Sequence, residues 1–108
     1  MRLAIGPILI TGMLLVSQIA AAQTSPSVQR GMNLAHTYCA RCHSIDKASE
    51  SPLKIAPPFR TLQQRYPLES LEEPLAEGIV TGHPSMPEFR FDPDQIRDFI
   101  TFLKSLNN

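Results

Sequence analysis

The 108-residue chain contains no tryptophan, only two tyrosines and five phenylalanines, and just two cysteines. Large apolar side chains are therefore scarce in a chain whose length allows one small domain at most. Domains of this size bury a thin core and commonly depend on a staple such as a disulfide or a metal. Two cysteines allow a single disulfide at most. The composition thus predicts a domain whose core is completed by something besides its own side chains.

Several other patterns are missing from the sequence. No segment alternates polar and apolar residues as a strand does, and there are no repeats, so the chain is predicted to be all-α. There is no serine–histidine–acid set, no phosphate-binding loop and no basic stripe that would favour nucleic acid. Basic side chains outnumber acidic ones six to two in residues 23–65 and are outnumbered eight to three in residues 66–108. This asymmetry predicts either a dipole that orients the molecule at a partner or simply two solvated faces of different charge.

The N-terminus has the pattern of a secretory signal peptide. Arg2 supplies a positive charge, Leu3 to Ile19 form a largely apolar run, and Ala20-Ala21-Ala22 gives a small-residue cleavage site before Gln23. The alternative is an uncleaved membrane anchor, but the run is short for a bilayer span and contains glycine and proline. We therefore predict a signal peptide at 1–22 and a mature exported domain at 23–108.

Both cysteines lie in one stretch, Cys39-Ala40-Arg41-Cys42-His43. The spacing C-x-x-C-H is typical of a c-type haem attachment site, in which two thiols form thioethers with the haem vinyl groups and the histidine binds the iron. A porphyrin would also supply the large apolar body that the composition lacks. Two alternatives are a disulfide and a redox dithiol. The histidine directly after Cys42 argues against the disulfide, and a thioredoxin-like dithiol calls for a βαβ context that the sequence lacks.

The first two helical segments are short. Ser27 is a candidate N-cap for a helix from Val28 to Tyr38, in which apolar residues recur every three or four positions. Residues 44–56 are polar without periodicity and predict a loop. A second helical stretch is expected from Phe59 to about Arg65.

A third helix is predicted in the following segment. Ser70 and Glu73 match a capping box, whereas Pro74 suits a first-turn position, so the start of the helix stays open. Gly82 is expected to end it. Its apolar stripe consists of Leu71, Leu75 and Ile79.

The last helix has the strongest signals. Asp92 is its N-cap, Pro93 takes the first position and Asp94 adds a favourable charge at the N-terminus. Before it, residues 83–93 contain three prolines and predict an ordered loop without regular structure. The apolar face of the helix consists of Ile96, Phe99, Ile100, Leu103 and Leu106.

A low-spin haem iron needs a second axial ligand besides His43. Met32 and His36 lie on the helix that leads into Cys39 and are poorly placed to reach the opposite haem face. Met86 lies in the proline-bounded loop Pro84-Ser85-Met86-Pro87, which is stiff enough to hold a weak thioether ligand. His83 is the rival, and bis-histidine ligation would give a lower reduction potential than Met/His ligation. Met86 is the predicted ligand, and its alternative role is to fill a gap in the core.

These motifs resemble the class I monohaem cytochromes c of the bacterial periplasm, in order and over nearly the whole of 23–108, from Gly31 to Leu106. Gly31 precedes Cys39 by eight residues, where the family has the small residue at which its terminal helices cross. Phe99 and Phe102 occupy the positions at which the family's last helix meets that crossing. The resemblance implies a compact cytochrome c-like fold of about four short helices around one covalently bound haem.

The loops carry the resemblance too. Ala56-Pro57-Pro58-Phe59 is similar to the family's Gly-Pro-x-Leu turn, and Met86-Pro87 is similar to its ligand loop. The resemblance implies that the Pro57 carbonyl accepts a hydrogen bond from Nδ1–H of His43 and fixes its tautomer. Ala56 replaces the usual glycine, so the turn here must be one that is not too tight for alanine. Ala35 replaces an aromatic residue and implies a thinner contact between the terminal helices.

The site residues expected from these observations are Cys39, Cys42, His43, Pro57 and Met86, with His43 and Met86 on the iron. The leading functional hypothesis is single-electron transfer between periplasmic protein partners, by a monomer that docks transiently and has no membrane span after cleavage of the signal peptide. A second hypothesis makes the chain the haem subunit of a larger dehydrogenase or oxidase. A third is ligand sensing or peroxide chemistry, which requires an iron that Met86 does not occupy.

Overall fold

The computed structural model describes residues 1–8, 12, 15, 17, 24–79 and 86–108. Within these ranges the chain forms α1 (Pro26–Tyr38), α2 (Leu62–Arg65), α3 (Glu72–Glu77) and α4 (Pro93–Ser105). Two 3₁₀ turns, Phe59–Thr61 and Leu68–Leu71, lead into α2 and α3. No strand occurs in the described residues, so the predicted all-α class is confirmed.

The start of α1 differs from the sequence prediction. Ser25, not Ser27, is the N-cap, and its hydroxyl accepts a hydrogen bond from the Val28 backbone N–H at 3.2 Å. Pro26 takes the first helical position, where its fixed φ suits the helix and its missing N–H costs nothing. The helix therefore begins two residues earlier than predicted, and the Ser27 hydroxyl is available for a tertiary hydrogen bond.

The bounds of α3 also differ. No side chain caps the helix, so the Ser70–Glu73 capping box is not formed, and Pro74 lies in the first turn, as the alternative start expected. The 3₁₀ turn at Leu68–Leu71 leads directly into the helix. The helix ends at Glu77 rather than at Gly82, which lies outside the described residues. Gly78 has a φ of 103°, a left-handed value that favours glycine, and this conformation stops the helix. Residues 86–92 are irregular, as the loop prediction expected, while residues 80–85 lie outside the described part.

Helix α4 agrees with the prediction. Asp92 is the N-cap and Pro93 takes the first helical position. The Asp92 carboxylate accepts a hydrogen bond from the Gln95 backbone N–H at 2.8 Å, and the Gln95 side chain accepts one from the Asp92 backbone N–H at 3.0 Å. This reciprocal pair is a full capping box. The helix therefore has a well-defined start from which its apolar face is directed into the core.

Helices α1 and α4 approach each other closely at Gly31. A Cβ atom added at this position would lie 2.1 Å from the Asp98 carbonyl oxygen and 2.6 Å from Phe102 Cβ. Beside the glycine, the buried Asp98 carboxylate accepts hydrogen bonds from Arg30 Nε at 2.7 Å, Arg30 Nη2 at 3.1 Å and Ser27 Oγ at 2.7 Å. The contact that the resemblance placed at Gly31 and Phe102 is thus present, and only glycine permits it.

Phe99, the other residue that the resemblance placed at the crossing, packs among the aromatic rings of the core. Its ring meets those of Phe59 and Phe91 edge to face, with centroids 5.9 Å and 5.6 Å apart. Phe91 in turn meets Tyr38 at 5.4 Å, and Phe89 stacks on Tyr38 at 5.6 Å. Such aromatic pairs add to the stabilisation from buried area. Five of the seven aromatic residues are therefore gathered into one cluster that joins α1, α4 and the segment between α3 and α4.

The two departures from the family pattern are accommodated locally. Ala35 is fully buried at 0% exposure, in the same core cluster as Phe91, Phe99 and Phe102. Ala56 is buried without a positive φ, and its N–H donates to the Leu53 carbonyl at 2.9 Å. The turn before Pro57 is therefore one that alanine can adopt. In the described part of the chain, no helix has the length and apolarity needed to cross a bilayer.

Candidate cofactor site

The Cys39–His43 motif forms a tight turn at the C-terminal end of α1. Cys39 is the C-cap residue, and its N–H donates to the Ala35 carbonyl at 2.8 Å. The Cys39 carbonyl then accepts hydrogen bonds from the backbone N–H groups of Cys42 at 3.2 Å and His43 at 2.9 Å. These bonds bring both thiols and the imidazole onto a single turn.

His43 has a fixed orientation. Its Nδ1 lies 2.8 Å from the Pro57 carbonyl oxygen, the contact that the resemblance implied. A carbonyl can only accept, so Nδ1 carries the proton and the lone pair of the neutral imidazole is on Nε2. The ring also lies against Phe59, with centroids 4.8 Å apart. His43 is thereby prepared to bind a metal through Nε2.

Two apolar cavities of about 320 Å³ and 270 Å³ lie beside this turn. Among the residues that the structure describes, four line both cavities: Cys39, His43, Met86 and Phe89. Small-molecule and cofactor sites commonly occupy some 300–1,000 Å³ and have mostly apolar walls with a few polar groups. The two cavities therefore meet at the residues that the motif singles out, and together they have the character of a cofactor site.

The two cysteines form no disulfide and differ in exposure. Cys39 is buried, and this burial raises the pKa of its thiol to about 12. Cys42 is partly exposed and lines the larger cavity. Redox dithiols need a lowered thiol pKa, because the thiolate is the reactive form. The raised pKa of Cys39 therefore argues against the redox-dithiol alternative.

The candidates for the second iron ligand differ in their position relative to the two cavities. Met86 lines both cavities together with His43. Met32 and His36 are exposed on α1, and neither lines either of these two cavities. His83, the rival predicted from the sequence, lies outside the described residues. Met86 is thus the methionine that the fold brings to the site.

Sequence reasoning missed Phe89. This ring lines both cavities, stacks on Tyr38 and lies 5.1 Å from the ring of Phe91. It stands in the irregular segment before α4, where no helical periodicity marks an inward-facing residue. The available signal was the alternation Phe89-Arg90-Phe91, which places two aromatic rings around an exposed arginine.

A C-x-x-C-H turn between apolar cavities in an all-α chain defines the class of c-type haem proteins. Residues 28–107 match the family model for cytochrome c, and the chain belongs to the cytochrome c family. The protein accordingly carries covalently bound haem c with its iron. Comparisons with curated proteins and with solved structures gave no match.

The residues of the site fit this group. Two unbridged thiols stand on one turn, the adjacent imidazole has its lone pair on Nε2, and the flanking cavities are lined mainly by apolar side chains. Apolar walls also suit a redox iron, because they help to exclude water and to set its potential. When bound, the haem supplies a one-electron ferric/ferrous couple.

Proposed function

We propose that this protein carries single electrons between periplasmic redox partners through one low-spin haem c, as a class I monohaem cytochrome. In this proposal Cys39 and Cys42 would attach the haem, and His43 and Met86 would bind its iron. The observation that carries it is the meeting of the two apolar cavities at Cys39, His43 and Met86. With His43 and Met86 both on the iron, no position would remain open for a substrate.

His43 has the more rigid role. The hydrogen bond to Pro57 fixes the tautomer and the ring plane, and second-shell acceptors of this kind also raise the basicity of a ligating histidine. A more basic imidazole stabilises the ferric form. Pro57 therefore contributes to the potential as well as to the geometry.

Met86 is the counterpart of His43 in the proposal. A thioether is a weak ligand that favours the ferrous form, and Met/His ligation accordingly gives a relatively high potential. Pro87 follows Met86 directly, and Phe91, a few residues later, is tied to α3 through its N–H, which donates to the Leu75 carbonyl at 2.8 Å. These constraints support a defined position for the sulfur atom.

The compartment follows from the N-terminus and the family. Cytochrome c domains are typically extracellular or periplasmic. We propose that residues 1–22 are a signal peptide whose removal leaves a periplasmic domain at 23–108. Protein donors and acceptors would bind this domain transiently through a small surface.

One observation also favours the role of a haem subunit in a larger dehydrogenase or oxidase. Leu53 and Ile55 line the larger cavity and remain exposed, Ile55 to 70% of its surface. Exposed apolar side chains at the rim of a cofactor site suit a protein contact, either lasting or brief. Co-purification with a second chain would identify a lasting one.

Absorption spectra of the oxidised and reduced haem protein test the proposal, for wild type, Met86→Ala and Met32→Ala. Met32 is an exposed methionine of α1 and serves as the matched control. The weak sulfur-to-iron band is expected in wild type and Met32→Ala and is lost in Met86→Ala, whose ferrous form also binds carbon monoxide rapidly. A five-coordinate, high-spin wild-type protein would overturn the electron-carrier assignment in favour of ligand or peroxide chemistry. A low-spin wild-type spectrum that lacks the sulfur-to-iron band and is unchanged in Met86→Ala would transfer the ligand role to His83.

A further inference from the structure

Arg60 reaches across the loop that follows His43. Its Nη1 donates to the Ser49 carbonyl oxygen at 2.7 Å and to the Ser44 hydroxyl at 3.3 Å. Ser44 is buried, with 3% of its surface exposed, and its hydroxyl also contacts that of Ser49 at 3.1 Å. A charged donor makes stronger hydrogen bonds than a neutral one. One arginine therefore fixes both the beginning and the middle of the loop at 44–51.

The Arg60 contacts lie close in the chain to the hydrogen-bonded pair His43 and Pro57. Ser44 directly follows His43, and its carbonyl accepts a hydrogen bond from the Phe59 N–H at 2.9 Å. His43 donates from Nδ1 to Pro57, two residues before Phe59, at 2.8 Å. Two hydrogen bonds thus join the same two short segments in opposite directions, and Arg60 adds a side-chain link between them.

The backbone of Arg60 is anchored on the other side. Its carbonyl accepts a hydrogen bond from Asn107 Nδ2 at 3.2 Å, just beyond the end of α4. The residue therefore ties the loop after His43 to the segment that carries Pro57 and, through its carbonyl, to the residues after α4. Both Pro57 and Pro58 precede it and restrict the backbone, so a displacement of Arg60 is transmitted to the Pro57 carbonyl.

We propose that Arg60 is a positioning residue that keeps the Pro57 carbonyl on Nδ1 of His43 and thereby lowers the midpoint potential of the haem protein. This inference rests on the proposed function, in which His43 binds the iron. A strong hydrogen bond at Nδ1 makes the imidazole a better donor and favours the ferric form. Loosening the loop weakens that bond, so loss of the Arg60 side chain raises the potential.

The sign of the shift separates this role from a plain charge effect. Removing a positive charge near a haem favours the ferric form, because less positive charge opposes oxidation, and it therefore lowers the potential. Arg65 on α2 is the matched control, since it is exposed and its side chain has no hydrogen bond or ion pair within the described ranges. Arg60→Met and Arg65→Met lose the same charge, but only the former loses the loop contacts.

The first experiment measures the midpoint potentials of wild type, Arg60→Met, Arg60→Lys and Arg65→Met, each isolated with its haem. Arg60→Met is expected above wild type, Arg65→Met at or slightly below it, and Arg60→Lys between wild type and Arg60→Met. A potential for Arg60→Met equal to or below that of Arg65→Met overturns the proposal. Ser44→Ala, which removes one acceptor of Arg60, gives a smaller rise and replaces Arg60→Met if that variant fails to fold.

The second experiment measures hydrogen exchange of the His43 Nδ1 proton in the reduced protein by NMR. Exchange is expected about tenfold faster in Arg60→Met, the factor that corresponds to loss of one charge-assisted hydrogen bond, and unchanged in Arg65→Met. Equal exchange rates in the two variants contradict the role of Arg60. The Nδ1 proton takes part in the hydrogen bond between His43 and Pro57, whichever second residue binds the iron. The test therefore remains valid even if Met86 is not the second ligand.

Discussion

Helices α1 and α4 and the loop that follows His43 are stabilised by different interactions. The helices approach closely at Gly31, which has no side chain, and the buried carboxylate of Asp98 lies beside it. The loop is fixed mainly by individual hydrogen bonds, among them those of Ser44 and Arg60. Damage to the helix contact should therefore reduce the stability of the whole domain. Damage to the loop should instead change the properties of the site at a smaller cost in stability.

The largest effect is expected from Gly31→Ala. The new Cβ would lie 2.1 Å from the Asp98 carbonyl oxygen, a backbone atom that cannot move without moving α4. Overpacking commonly costs about 1–3 kcal/mol and occasionally more, and we expect the upper end because the obstacle is backbone. Urea unfolding of the haem protein measures this loss.

Asn33→Ala is the control for that variant. Asn33 is exposed on the same helix, and its side chain accepts one hydrogen bond from Gln29 at 3.1 Å. Its replacement should change the free energy of unfolding little, since alanine also has the higher helix propensity. Similar losses in the two variants would show that the close approach at Gly31 is not what stabilises the helix pair.

The second comparison uses two carboxylates whose pKa values are both lowered to about 2, Asp98 in the helix contact and Asp46 in the loop. Hydrogen bonds from Arg30 and Ser27 lower the pKa of Asp98, and those from Ser49 and Ala48 lower the pKa of Asp46. A carboxyl with a lowered pKa stabilises the fold above its usual pKa of about 4 and loses that contribution as the pH falls through about 2.

Asp98→Asn and Asp46→Asn should each flatten part of the decline in stability between these two pH values. At neutral pH, Asp98→Asn is expected to be the more destabilising, because the carboxylate is buried and removal of its charge leaves Arg30 without its ion-pair partner. Asp46 is exposed and should matter less. Thermal unfolding from pH 2 to pH 7 compares the two, and a greater loss in Asp46→Asn at pH 7 would reverse the ranking of helix contact and loop.

The same contrast explains which structural elements could be predicted from the sequence. The start of α4 was predictable because Asp92 and Pro93 are local signals that act within one turn. The start of α1 was missed by two residues because Ser25 and Ser27 are both chemically suited to cap, and Pro26 decides between them. The end of α3 was missed because the positive φ of Gly78 depends on its tertiary surroundings, which spacing does not reveal.

The residues of the site also differ in whether the sequence could predict them. Cys39, His43 and Met86 were found because a motif and a family pattern identify them, and all three line the cavities. Phe89 and the contacts of Arg60 were not found, because residues in irregular segments have no periodicity that reports which way they face. The positions of such residues can be learned only from the structure.

The smallest effect is expected from Gly78→Ala, at the base of the segment that leads to Met86. Alanine at a φ of 103° is strained, and its Cβ would lie 2.8 Å from Oε1 of Glu88. The strain should cost about 1–2 kcal/mol in the free energy of unfolding, while the flexible Glu88 side chain can move aside. Glu88 is two residues from Met86, so its displacement should loosen the methionine and speed carbon monoxide binding to the ferrous protein.

The double variant Gly78→Ala/Glu88→Ala keeps the strain but removes the clash, and it should recover slow binding without recovering stability. Fast binding that persists in the double variant would mean that the backbone of Gly78, and not its contact with Glu88, controls the position of Met86.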